Sequence, residues 1–354
     1  MKRNTLRAAV PVAAALSLSV ALGACGSSSS GGGTLNGAGA SSQQAAVAAW
    51  KQAFQTDNPD ATINYDPVGS GGGREQFIAG GVDFAGSDAY LDDEELADAK
   101  DRCGGEVVEV PVYVSPIAVV FNLDGVEDLN LSAATIGAIF EGTVTAWDDP
   151  AIAADNPGVT LPSDPIVTVH RSDDSGTTKN FTAYLEETSG GSWSAGEVET
   201  WPSSEGESAQ GTAGMIDRVK ATPNSIGYAD ASQAGDLSTA AVKVGEEYVE
   251  YSPEAATAIL EKSTPVEGRG ETDLAIEIDR STTEAGVYPV VLVSYAIACQ
   301  TYEDADKAEL VKDWLAYLVS AEGQEAAAKD AGAAPISGDI ADKSAAAVDT
   351  IAAK

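Results

Sequence analysis

The chain has 354 residues, 44% of them apolar, enough for a substantial core in two units of ordinary domain size. Twenty Lys and Arg stand against 55 Asp and Glu, and removing Lys2, Arg3 and Arg7 with the first 25 residues leaves a formal charge of −38. That sign excludes binding nucleic acid or an anionic membrane through the general field, so any anion held here is captured by local groups in a recess, the field being screened over about 8 Å at physiological salt.

Residues 1–25 read as an export signal. Lys2, Arg3 and Arg7 precede an eleven-residue apolar run, 12–22, too short for the roughly 20 residues that a membrane span takes. The run ends in Leu22-Gly23-Ala24-Cys25, which is similar to a bacterial lipobox and makes Cys25 the expected lipidation site; cleavage for ordinary secretion is the alternative. GSSSSGGG (26–33) follows as a flexible tether, so that acyl chains would hold a folded domain at a membrane surface. With Cys25 lipidated, Cys103 and Cys299 remain, and in an exported chain they are expected to form one disulfide rather than stay as buried thiols. A single His and no CxxC argue against a zinc site.

Residues 34–54 read as a short strand, a Gly-rich turn and a helix capped by Ser41 or Ser42, with Val47, Trp50 and Phe54 on one face. A second strand, 62–70, runs into a second Gly-rich turn and helix at 70–81; SGGGRE is not a Walker nucleotide loop. VDFAGSDAY (82–90) is a strand ending at Ser87 and Asp88, followed by an acidic helix. EVVEVPVYVSPIAVVFNL (106–123) is long, apolar and β-branched, the pattern of a strand crossing between two units, and VYPVVLVSYAIA (287–298) is its counterpart on the return. Between them, 131–158 is helical with Pro and Gly stops, 201–214 reads as a mobile loop, and SIGYAD (225–230) is a short strand. The tail carries a helix at about 304–330 with Leu310, Trp314, Leu315 and Leu318 inward. The expected organisation is an α/β chain of two lobes, 34–116 plus 288–354 and 117–287, with a mostly parallel sheet in each and hinges near 113–117 and 288–292.

The stretch 166–184, IVTVHRSDDSGTTKNFTAY, carries the most chemistry. Strand alternation, a polar break at SDDSG and resumed helical spacing at Phe181, Tyr184 and Leu185 predict a strand, a tight turn and a helix start. The first N–H groups of a helix lack internal partners and carry the positive end of its dipole. Ser175, Thr177 and Thr178 stand there, and Arg171 adds a planar cation suited to tetrahedral oxyanions.

Taken together and in order, GAGAS (37–41), GSGGG (69–73), VDFAGSDA (82–89), FEGTVTAWDDPAI (140–152), RSDDSGTT (171–178) and SIGY (225–228) resemble the substrate-binding lipoproteins of the high-affinity phosphate ABC importer, over about 34–340. The resemblance implies a type II periplasmic-binding-protein-like fold, hinged, with phosphate in the interlobe cleft and no cofactor. It implies ligands at Ser41, the backbone N–H of Ser42, Ser70, Asp88, Arg171, Ser175, Gly176 and Thr177, with Asp173 orienting Arg171. It further implies a monomer on the extracytoplasmic face of the cell membrane, delivering phosphate to an ABC permease. Where the family commonly has Thr-Phe after GAGA, this chain has Ser41-Ser42.

Two rivals stand beside that reading. A secreted phosphatase or hydrolase would pair Ser175 with His170, but strand alternation points His170 away from Arg171 and the turn, as a half-exposed strand residue. A binder of sulfate or molybdate is opposed by Asp88, since an ionised carboxylate only accepts hydrogen bonds and so needs a ligand that carries a proton. The bland reading of Asp88 is a cap for the following helix, and that of Arg74 is a solvated helix-face residue.

Overall fold

Val, Ile and Ala fill 106–123, and branched side chains suit a pleated surface covered on both faces. In the computed structural model, which describes residues 32–336 and 338–354, this stretch is a sixteen-residue strand buried at every position but its last. The chain reaches it through β1 (Gly33–Gly39), α1 (Gln44–Asp57), β2 (Ala61–Asp66), α2 (Ser70–Ile78), β3 (Phe84–Ser87) and α3 (Asp93–Cys103), the long strand itself being β4 (Val107–Asn122). The central part runs through β5 (Leu129–Leu131), α4 (Ala133–Phe140), α5 (Pro150–Asp155), β6 (Val167–Arg171), α6 (Gly176–Thr188), β7 (Glu207–Ala209), α7 (Gly211–Ala221) and β8 (Ser225–Asp230). It continues through β9 (Ser238–Val244), β10 (Glu247–Val249), α8 (Pro253–Thr257), β11 (Thr264–Pro265) and β12 (Ile276–Glu277). The return consists of β13 (Val291–Cys299), β14 (Thr301–Tyr302), α9 (Ala305–Val319), α10 (Ala321–Ala331), α11 (Gly338–Asp349) and β15 (Ala352–Ala353). The signal, Cys25 and most of the tether lie outside the described residues; Gly33, expected in the tether, already belongs to β1.

One sheet path, β2-β1-β3-β13-β4-β8-β6-β7, threads both lobes. β1 is parallel to β2 and β3, and β6 is parallel to β7 and β8, as βα alternation predicts. The crossing strands are antiparallel to their neighbours, so each lobe is a mixed sheet whose outer strands are parallel. β13 pairs with β4 as far as Val291–Pro116, and β8 takes over at Ile117–Asp230. Pro116 has no N–H to give a ladder, which makes it a natural point for the strand to change partners. In one lobe Trp314 packs edge-on to Phe54, ring centroids 5.3 Å apart; in the other Phe181 stacks on Tyr228 at 4.3 Å. Cys103, at the end of α3, and Cys299, at the end of β13, are disulfide-bonded with Cα atoms 5.4 Å apart.

Three segments differ from the sequence reading. The 201–214 stretch is structured: Trp201 packs against Phe140, Trp193 and His170, and β7 adds to β6. The tail helix is two, because the extended backbone of Ser320 ends α9 and caps α10 through its hydroxyl, which turns α10 back onto α1. Residues 269–276, assigned to the second lobe, lie on the first: Thr272 O accepts from Glu109 N, Leu274 N donates to Glu109 O, and Arg269 reaches Leu91 O. β13 covers only one side of residues 107–111, and this segment satisfies the other edge.

Candidate functional site

Parallel strands deliver their C-terminal ends to one edge of a sheet, and there the turns after β1, β2 and β3 bring Ser41, Ser42, Ser70 and Asp88 together. The turn after β6 brings Arg171, Ser175, Gly176 and Thr177 from the other lobe. All of these side chains are 3% exposed or less. Contact between the two sets is close: a Cβ on Gly176 would lie 2.6 Å from Ser70 Oγ and 2.8 Å from Asp88 Cβ, so only glycine allows this approach.

Asp88 sits at the centre. Its Oδ2 accepts from the Ser42 hydroxyl at 2.6 Å and the Thr177 hydroxyl at 3.3 Å, and its Oδ1 from Ser294 at 2.7 Å. Burial raises its pKa above the ordinary carboxylate value, while the hydroxyls of Ser42, Ser294 and Thr177 and the charge of Arg171 oppose the rise. A carboxylate has about four lone-pair sites, so three hydroxyl donors leave it able to accept once more. The following helix is capped by Asp92, which exchanges bonds with Glu95 in a capping box, so Asp88 is not needed as a cap. Ser70 Oγ accepts from Asp88 N at 3.1 Å and so fixes the turn that aims the carboxylate.

Arg171 lies across the cleft, gripped at two points by Asp173: Nε donates to Oδ1 at 2.7 Å and Nη2 to Oδ2. Nη1 has no hydrogen-bond partner among the described residues. Asp173 also accepts from Gly211 N at 3.0 Å, which ties the pair to the start of α7. Ser175 is the N-cap of α6; its oxygen accepts from Thr178 N, leaving its O–H free to donate. The N–H groups of Gly176 and Thr177, the first two of α6, have no acceptor among the described residues. Donors of this kind, beside a fixed guanidinium and opposite one carboxylate, suit a tetrahedral oxyanion that also carries a proton.

Several side chains do something other than the sequence suggested. Ser41 and Ser42 do not cap α1: Ser41 Oγ accepts from Thr212 N at 3.0 Å, and the Ser42 hydroxyl is spent on Asp88. Thr178 turns its hydroxyl away to Tyr228. Arg74 is not solvated; it is 2% exposed and bound to Glu95, Ser87 and Glu199. Burial works against its charge, but Glu199 and Glu95 more than compensate and raise its pKa above the ordinary value. His170 is buried, not half-exposed: it stacks on Trp201 at 5.1 Å, and its Nδ1 faces the Arg171 carbonyl. It shares no hydrogen bond with Ser175 among the described residues. Ser294 and Asn180, which donates to Asp88 O at 2.6 Å, were missed. A serine inside the apolar run VVLVSYAIA was the available signal for the first; nothing local marked the second.

The PBP superfamily domain matches residues 26–322. The phosphate-binding protein PstS 3 of Mycobacterium leprae is 38% identical over 80% of this chain and 78% of its own. The protein of the same name from Mycobacterium tuberculosis is 36% identical over 99% of this chain and 100% of its own. Among solved structures, a phosphate-binding protein from Stenotrophomonas maltophilia superposes with a TM-score of 0.68 at 21% identity, covering 89% of this chain and 93% of that one. A high-affinity periplasmic phosphate-binding protein with bound phosphate gives 0.67 at 23% identity over 90% and 93%. At these identities the structures speak to the fold.

Proposed function

Because the chain belongs to the PBP superfamily, with PstS phosphate-binding proteins as its relatives, we propose that it captures inorganic phosphate between its lobes and delivers it to an ABC permease. One observation carries the reading. Asp88 stands opposite Arg171 and the free N–H groups of α6, so the same small space holds donors for anionic oxygens and an acceptor for a ligand proton. The ligand set is Ser41, Ser42 through its backbone N–H, Ser70, Asp88, Arg171, Ser175, Gly176 and Thr177, with Asp173 holding the guanidinium. Phosphate at neutral pH is a mixture of singly and doubly protonated ions, and either gives Asp88 a proton to accept.

The lobes are 34–116 with 288–354 and 117–287, less the 269–276 strap that lies on the first, and they close about hinges near 113–117 and 288–292. The change of strand partner at Pro116 supports that placement. Lipidation at Cys25 holds the protein, as a monomer, on the outer face of the cell membrane; among the described residues no helix is long and apolar enough to cross one. The protein performs no chemistry on its cargo. Calorimetric titration with phosphate, sulfate and molybdate tests the reading: phosphate should bind and the others should not. Equal binding of sulfate would overturn it.

A further inference from the structure

Arg74 contacts both lobes at once. It lies on α2, one turn past Ser70, with its side chain 3% exposed. Nε donates to Glu95 at 2.8 Å and Nη1 to the Ser87 hydroxyl at 2.9 Å, both in its own lobe. Nη2 donates across the cleft to Glu199 at 2.6 Å. Glu199 stands between α6 and β7, and its backbone carbonyl accepts from Ser175 N. The bridge therefore joins the residue before Asp88 to the residue that holds the N-cap of α6. A second bond, Gly71 N to Asp174 O at 3.2 Å, lies alongside.

We propose that Arg74 and Glu199 form an interlobe latch that sets the lifetime of the phosphate complex without touching the ligand. The proposal rests on the phosphate-binding reading above. Only contacts made in the closed form shift the open–closed equilibrium. The home contacts with Glu95 and Ser87 hold the guanidinium in place before closure, so little side-chain freedom is lost when Glu199 arrives. The Arg74 side chain is 3% exposed and that of Glu199 19%, so the bridge is largely shielded from water, and there a charge-assisted hydrogen bond counts for more than at a surface. Opening the cleft separates Arg74 from Glu199 while Arg74 keeps Glu95. The latch thus acts on release and leaves capture, which takes place in the open form, unaltered.

The test is stopped-flow measurement of phosphate release and capture in the parent, Glu199→Gln, Arg74→Lys and the double variant. Glu199→Gln keeps the backbone bond to Ser175 and leaves Arg74 paired with Glu95, so the ligand-free protein should melt as the parent does. Release should quicken on the order of tenfold or more, with capture changed by less than about twofold. A lysine cannot reach Glu95, Ser87 and Glu199 together, so Arg74→Lys should also quicken release, and the double variant should be little faster than the faster single one. Parent-like release in Glu199→Gln, or effects that simply multiply, would overturn the latch. A parent that bound no phosphate would overturn the functional reading, and the latch, being defined on the phosphate complex, would fall with it; parent-like release from a protein that does bind phosphate would overturn the latch alone.

Discussion

The hydroxyl of Ser294 lies 2.7 Å from the Asp88 carboxylate although 206 residues separate them in the chain. A register shift between Ser294 and Tyr295, where β4 carries one residue more than β13, accompanies this contact. Asp88 is thereby fixed by three hydroxyls and faces the cleft with acceptor capacity left over.

The selectivity of the site should follow from that arrangement. Sulfate has the shape of phosphate but no proton at neutral pH, so it would meet Asp88 with no hydrogen bond between them. Sites built to bond a ligand's own donor can reject an analogue lacking it by roughly 10⁴–10⁵. Asp88→Asn should narrow the phosphate-over-sulfate gap, chiefly by improving sulfate, because the amide can donate. Competition of sulfate against labelled phosphate measures this, and equal competition with parent and variant would place selectivity elsewhere.

Arg171→Ala should weaken phosphate binding more than Ser175→Ala. The first removes a charged donor, worth roughly 1.5–3 kcal/mol, and the second a neutral one, worth roughly 0.5–1.5 kcal/mol. It also strands Asp173, whose side chain is 10% exposed, so Arg171→Ala with Asp173→Ala should recover part of the stability lost by the single variant. Affinity by calorimetry and melting temperature together decide it; an Arg171→Ala variant that binds like the parent contradicts the ligand set.

The bond between Cys103 and Cys299 closes a loop with a sequence separation of 196 residues, for which chain-entropy bookkeeping allows a stabilisation of up to about 5 kcal/mol. Cys299 lies five residues beyond Ser294 on β13, roughly 17 Å along an extended strand. Replacing both cysteines by serine should therefore lower the melting temperature while leaving phosphate affinity within a few-fold of the parent. Thiol titration of the unfolded, unreduced protein should find neither sulfur of the pair free.

Asp230, at the end of β8, is 1% exposed; its Oδ1 accepts from Ser232, and its Oδ2 has no partner among the described residues. Burial pushes its pKa up to about 7, with Ser232 opposing the rise and the charge of Asp88 adding to it. The folded state thus keeps a proton that the unfolded state, titrating near 3.8, gives up earlier. The resulting stability is complete below about pH 4 and is lost as pH rises through about 7. In the ligand-free protein, Asp230→Asn should melt above the parent at pH 8, by an amount on the order of a few kcal/mol at most, and converge on it at pH 4. A gap of the same size at both pH values would show that Asp230 does not titrate in this range.

The sequence by itself determined the strand–turn–helix units, that of RSDDSGTT included, and the two long crossings, because periodicity, turn residues and helix starts are local properties. The pairing of Arg171 with Asp173 is implied by the family resemblance rather than by local spacing, and the structure shows the two bonded. Only the tertiary structure decided which hydroxyls serve Asp88: Ser42, Thr177 and Ser294 come from three turns and strands that share no local pattern. It likewise turned Arg74 from an apparent surface residue into a bridge between lobes, because Glu199 arrives 125 residues later. It also laid 269–276 on the first lobe, where an open edge of β4 needed partners. Burial and pairing across a cleft depend on which faces meet, and a linear pattern carries that only for residues within a turn or two of each other.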